Sequence, residues 1–420
     1  MGQIQKGASR LTESSGILET VWNVSFFLLM LSVICFGNTR SGTNYYYYAV
    51  FFLFIGVSYL EILLDRGWYR HLYLPLQTIW YGLFVILSIV SSIWAQSFAT
   101  TILPISKMVQ ILLLTNCLIQ HVRNEKRLEQ YIRVMMAASL FLIVYLLVRT
   151  PPSRWFSGFL GHGTGYNTND IGLSIAVCVL LSFYEAYVRR RRICYVLTGL
   201  SIFAVILTSS RKGILMSVFG IILIVVFNYR ARRYMLRVLC ILAAAVLLVF
   251  LIYQIPPLYR VVGMRIDAML AYFMEDQTAD YSISMRRYYI EIAKSILREH
   301  PVFGIGLNNF SYYVRAYGTK LTYCHNNYWE IAAGLGVVGL IVYYWFYAYL
   351  FLRLARQVLD GHKCALLFMA LLLQFLVFEY GIVNYYKTQS QLVIAAAFCA
   401  VMINARAEQR QKPKEQEDTE

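Results

Sequence analysis

Of the six histidines in this 420-residue chain, one stands in an unusual setting. The stretch YCHNNYWE (323–330) puts His325 where a polar segment gives way to a long apolar run. A neutral imidazole there can take a proton from a hydroxyl. Cations interrupt apolar sequence at two other places: TSSRKG (208–213), which holds Ser210, Arg211 and Lys212, and the pair Arg286–Arg287. Guanidinium binds phosphate bidentately and stays charged. A fourth polar stretch, GHGTGYNTND (161–170), carries Asn169 and Asp170. Several arginines, one histidine and no carboxylate pair suit a reaction in which a phosphate-bearing group gains charge as it leaves. Acids such as Asp267, Glu275, Asp276 and Asp280 stand in the segment before Arg286, but no D-x-D-like pair lies beside the basic clusters. The expectation is charge supplied by arginine, with no metal and no cofactor.

Each cluster also has a plainer reading. Asn169 or Asp170 can cap a helix. Arg211 and Lys212 can snorkel to a membrane interface, and Arg286 and Arg287 can sit on the solvated face of an amphipathic helix. His325 can be a helix-end residue bonded locally. The glycines of GHGTG serve a loop turn, since no strand precedes them as a phosphate fingerprint requires. Asn309-Phe310-Ser311 has the form of a glycosylation sequon. His71, His121 and His362 read as ordinary loop residues, while His162 and His300 are secondary candidates. What separates the readings is whether the clusters share one place.

The elements that position them are membrane spans. The chain is 59% hydrophobic and 14% charged, too little charge to cover a soluble surface of this size. Apolar runs of about 20 residues, the length of a bilayer crossing, recur throughout. The eight cysteines are scattered singly, without a C-x-x-C pair, and indicate neither a disulfide framework nor a zinc site. Spans are expected near 17–36, 45–64, 73–94, 102–120, 131–148, 170–188, 193–209, 212–228, 235–254, 326–352, 364–384 and 388–404. The fold class is therefore all-α: a polytopic helical bundle of about 12 transmembrane helices. It has short tails at 1–16 and 405–420, a transmembrane domain at 17–404 and one large loop at 254–325. The last residues, from 404 on, read as a disordered tail.

The +16 net charge would suit nucleic acid in a soluble protein, but here it has to be divided by side. With the N-terminus inside, roughly 23 Lys and Arg fall on inside segments and about 14 outside, of which about eight lie in the long loop. Long loops translocate regardless of charge, so both termini are expected in the cytoplasm and no nucleic-acid partner is implied. The long loop contains the amphipathic stretch YSISMRRYYIEIAKSILREHPVFGIG (281–306), with Tyr289, Ile292, Ala293, Ile296 and Leu297 on one helical face. Such a helix is expected in the headgroup plane. A weaker one precedes it at 258–273. In this topology all four polar clusters lie at the outer face. A polyprenyl pyrophosphate would put its head at that depth and its tail in lipid.

Three blocks, LTSSRKG (207–213), RRYYIEIAKSILREHPVFGIGLNNF (286–310) and HNNYWEIAAGLGVVGL (325–340), together resemble the O-antigen ligase and polymerase family of bacterial envelope enzymes. Counting back from Pro301 selects Arg286 over Arg287 as the family arginine. The resemblance implies a metal-independent, inverting membrane glycosyltransferase at the outer face of the bacterial cytoplasmic membrane. It would polymerise surface polysaccharide (O-antigen, capsule or exopolysaccharide) from undecaprenyl-pyrophosphate-linked donor and acceptor. A sister activity, ligation of finished glycan to a lipid A core or a protein, shares the donor. Carried over, Arg211, Arg286 and His325 would be catalytic, with Arg287, Lys212, Asn169, Asn326 and Ser210 binding substrate. Membrane lipid, a chain-length regulator and a flippase are the implied partners. The alternative from another class is a lipid-linked-oligosaccharide flippase or transporter. Glu61, Lys107 and Glu379, as candidates for charge buried in the bilayer, would favour it.

Overall fold

The computed structural model describes residues 2–36, 45–64, 74–155, 160–161, 168–228, 234–256, 281–315 and 322–417, with single positions at 259, 263, 264 and 267. Those residues form helices and connecting turns without a strand. In chain order the helices are α1 (Gly2–Leu31), α2 (Tyr45–Leu64), α3 (Leu76–Val90), α4 (Phe98–His121), α5 (Glu125–Arg149), α6 (Thr168–Tyr187) and α7 (Cys194–Leu207). There follow α8 (Arg211–Phe227), α9 (Tyr234–Gln254), α10 (Tyr281–Glu299), α11 (Phe310–Arg315), α12 (Asn327–Leu359), α13 (Lys363–Phe378) and α14 (Thr388–Glu417).

Each of the twelve expected spans coincides with a helix. Eight of the described helices have the length and apolar composition to cross a membrane, and two shorter apolar ones, α7 and α13, accompany them. This is a multi-pass membrane protein, although the structure does not fix the count at twelve. The C-terminal tail also departs from expectation, because α14 continues through it to Glu417. Its Ala, Glu, Gln, Lys and Arg residues are good helix formers. The expected weak amphipathic helix at 258–273 and His162 lie almost wholly outside the described residues.

Helix α6 is the centre of the bundle. It is apolar all round and mostly buried, as a helix enclosed by others must be. Helices α5, α7, α8 and α13 pack around it. A second group of core side chains joins α3 to α12. Trp80 stacks on Phe346 with centroids 4.5 Å apart and donates its indole N–H to the carbonyls of Val342 and Tyr343 at 3.0 Å.

The end of the bundle that the charge distribution assigns to the cytoplasm is closed by ion pairs. Arg189 and Arg191 from the basic run after α6 meet Glu125, Glu129 and Glu185. Glu61 is paired there with Arg127 at 3.0 Å and with His121 Nδ1 at 2.6 Å. His121 is buried and stacked on Trp22, so it is a core residue and not a loop residue.

Candidate active site

At the opposite end, α6 and α8 cross through glycines. A Cβ on Gly172 would lie 2.4 Å from Cβ of Ser210, and one on Gly213 would lie 2.8 Å from the Gly172 carbonyl. Only hydrogen at both positions allows the backbones so close. Between α7 and α8 the chain turns through Ser209, whose φ of 54° is left-handed. Ser210 then caps α8, its Oγ accepting from the Gly213 N–H at 3.2 Å. The same hydroxyl donates to Asn169 Oδ1 at 3.3 Å. Ser210 and Asn169 thus hold the first turns of α8 and α6 together, and Arg211 and Lys212 begin α8 beside that junction. Within TSSRKG the serine is the cap, and it fixes where the two cations that follow it begin α8.

The segment after α10 is a backbone clip. Ile305 and Gly306 donate their N–H groups to the carbonyls of Ala333 and Gly334 at 3.0 and 2.8 Å, and Val337 donates to Pro301 O at 2.9 Å. These bonds are available because α12 breaks at Gly336, whose φ is 65°. Gly304, with φ 64°, lies so close that a Cβ would be 2.5 Å from the Ala333 carbonyl. Asn309 is buried and takes the Ser97 N–H at 2.9 Å, while Asn308 donates to Thr100 O at 2.6 Å. The G-I-G and N-N elements therefore fasten α10 to α12 and α4. The sequon reading of Asn309 fails, because its side chain is inside the fold.

The apolar face of α10 is covered by protein, not left for headgroups. Tyr289, Ile292, Ala293 and Ile296 pack with Phe310, Val314, Cys324 and Ala333 into a small second core. That seating fixes the two arginines differently. Arg286 is half-buried and acts electrostatically on both His325 and Lys212. Arg287 is exposed and acts on Glu291.

His325 occupies a left-handed turn with φ 58°, uncommon for a residue with a side chain. Its ring lies 4.0 Å from that of Tyr323 and stacks toward Tyr289 at 6.2 Å, with Thr322 Oγ1 3.4 Å from Nε2. Burial, then the positive charges of Arg286 and Lys212, push the imidazole down to about 4. The turn is held from both sides. Asn326 is fully buried and caps α12, accepting from the Trp329 N–H at 3.2 Å, which makes it a support for the His325 turn. Glu330, also buried, reaches back one turn to accept the Cys324 N–H at 2.6 Å. Replacing Glu330 with Ala leaves that N–H without its partner, a loss of roughly 1–3 kcal/mol. The midpoint of thermal unfolding in detergent should fall by a few degrees. Glu330→Gln, which can still accept the bond, should stay near wild type.

One wall of the site was not anticipated. The span expected at 364–384 ends at Phe378, and residues 379–387 form a partly buried loop instead. Its anchor is Glu379, whose carboxylate accepts from Tyr344 Oη at 2.7 Å, Asn327 Nδ2 at 3.1 Å, and Tyr347 Oη and Asn384 Nδ2 at 3.2 Å each. Asn327 also accepts from the Asn384 and Tyr385 N–H groups. Lys212 Nζ donates to the Gly381 carbonyl, and Lys387 at the loop's end pairs with Asp170 Oδ1 at 3.1 Å. The contacts close a ring: Asn169–Asp170, Ser210–Lys212, Gly381–Lys387, and back to Asp170. Lys107 of α4 is within electrostatic reach of Lys387 and Asp170. Of the three charges that would suit a transporter, Glu61 is paired at the other end, Glu379 is a structural anchor, and Lys107 joins the ring.

A model of the family described as O-antigen ligase matches residues 196–344. The match takes in all three blocks that carry the resemblance, and no curated protein matches the chain. Residues 196–344 are thus similar to the O-antigen ligase domain, which supports an activity of the O-antigen ligase and polymerase type in general. Asn169, Asp170 and the loop at 379–387 lie outside the matched residues.

Proposed function

We propose, with that domain as the premise, that the protein polymerises repeat units of a surface polysaccharide by glycosyl transfer from an undecaprenyl-pyrophosphate-linked donor. The site opens at the outer face of the bacterial cytoplasmic membrane, with both termini in the cytoplasm. A hydroxyl of the acceptor glycan attacks the anomeric carbon of the donor sugar. The bond to the pyrophosphate oxygen breaks, and undecaprenyl pyrophosphate leaves with the electron pair. A single displacement of this kind inverts the anomeric centre. His325 takes the proton of the attacking hydroxyl. Arg211 and Arg286, with Lys212, bind the pyrophosphate and stabilise the charge it gains. Asn169 and Ser210 hold Arg211 in register, and Arg287 stays outside the clamp.

The observation that carries this reading is the shared neighbourhood of His325, Arg286 and Lys212. A base kept neutral sits beside cations that suit a phosphate, as an acid–base partner to a leaving pyrophosphate requires. Purified protein supplied with lipid-linked repeat units should form longer lipid-linked glycans in excess chelator. Activity lost to chelation and restored by magnesium or manganese would overturn the assignment of leaving-group stabilisation to the arginines. Glycan appearing on a lipid A core, with the lipid-linked units themselves unextended, would assign the chain to ligation instead.

A further inference from the structure

The ion pair between Lys387 and Asp170 is unusual in where it stands. Lys387 immediately precedes α14, and Arg211 and Lys212 begin α8, so three cations sit at the positive ends of helices, where a cation is disfavoured. Asp170, in the first turn of α6, is the negative charge that Lys212 and Lys107 both feel. An arrangement that gathers cations against the helix dipoles is stabilised by a bound anion. The pair is not needed to tie α6 to α14, because Ser174 Oγ already donates to Gln389 Oε1 between the same helices at 2.7 Å. Both partners of the pair remain partly open, so an exposed bridge of this kind is readily exchanged.

We propose that Lys387 is a phosphate-binding residue of this site. Asp170 holds its ammonium group in place while the site is empty, and the pyrophosphate of a lipid-borne substrate displaces Asp170 from it. This rests on the reading of the site as a pyrophosphate clamp and extends that clamp beyond the residues of the family domain. Lys387 stands at the end of a loop that Glu379 anchors and that Lys212 touches at Gly381. The ligand would then be gripped from α8, α10 and the 379–387 loop together. Asp170 serves as the counter-ion that the phosphate replaces.

The test separates a ligand residue from a structural bridge, because the two single substitutions are expected to act in opposite directions. Full-length protein in nanodiscs is titrated with farnesyl pyrophosphate and, separately, with inorganic pyrophosphate. Lys387→Ala should raise the Kd for farnesyl pyrophosphate roughly tenfold, as loss of a charge-assisted bond to phosphate would. Asp170→Asn should lower it about threefold or more by removing the competitor. Lys387→Arg, which keeps the charge, should bind within about threefold of wild type and shows that the position tolerates replacement. If Lys387→Ala and Asp170→Asn weaken binding alike, the pair is a structural bridge and the inference fails. Weakening by Arg211→Ala with no effect of Lys387→Ala also overturns it, while leaving the proposed function intact. No binding by the wild-type protein overturns both. A farnesyl chain that adds affinity over inorganic pyrophosphate supports a lipid-borne ligand. Equal binding of the two assigns the site to free pyrophosphate and overturns the lipid assignment.

Discussion

His325→Ala is expected to abolish chain extension while leaving the protein in the membrane at its usual level. A positioned general base contributes about 10²–10⁴-fold. The readouts are the ladder of glycans on a gel, turnover by the purified enzyme and the amount of tagged protein in membranes. Survival of the ladder at normal protein level would falsify the role of His325. The pH dependence gives a finer test. With the imidazole held down to about 4, chiefly by burial and then by Arg286 and Lys212, the ring is neutral at pH 7. It becomes protonated, and useless as a base, only as the pH falls through about 4. The acidic limb of kcat/KM, which reports the free enzyme, should therefore lie near pH 4 and not near 6.5. Bound pyrophosphate would neutralise the two cations and let the ring recover basicity. The acidic limb of kcat should then stand higher than that of kcat/KM, a shift that brings the base closer to its working pH when substrate is present.

Much of this geometry could be read from residue types once the spans were placed. His325, Arg211 and Arg286 stand out because they interrupt or border apolar runs and because the expected topology brings all three to one end. The helices themselves follow from apolar run length, and every expected span has its helix. The loop at 379–387 could not be read that way. EYGIVNYY follows ALLLQFLVF without proline and looks like more of the same span. What ends the helix is a tertiary event, the meeting of Glu379 with Tyr344, Tyr347 and Asn327 from a distant helix, to which Asn384 of the loop itself adds a fourth bond. Glu330 and Asn327 were likewise silent. An acid one turn into a helix reads as a dipole partner, and nothing local says that it reaches back to the residue before the histidine. The sequon pattern at Asn309 carries no information about burial, and its side chain lies inside the fold. Lys107 and Lys387 looked unrelated at 280 positions apart, and Asp170 relates them only in three dimensions.

The adjacent arginines of α10 should part sharply in their effects. Arg286→Ala removes a guanidinium that acts on both His325 and Lys212 from a half-buried seat. Losing one preorganised donor to developing charge costs about 10²–10³ in kcat. Arg287→Ala removes an exposed side chain whose charge acts only weakly on Glu291, a carboxylate that already pairs with Lys294 at 2.7 Å. Its turnover should stay within about fivefold of wild type. The residual activity of Arg286→Ala carries a second signature. With one positive neighbour gone, protonation of His325 becomes easier, so its acidic limb should move up from about pH 4. The move stops short of 6.5, because burial is the larger cause of the depression and remains in the variant. Arg286→Lys keeps the charge near the histidine but loses the bidentate fork. That variant should hold the limb near its wild-type position while turnover stays low. A limb that rises equally in the Lys and Ala variants would mean that the arginine acts on His325 through packing and not through its charge, and the coupling of base and clamp would have to be abandoned.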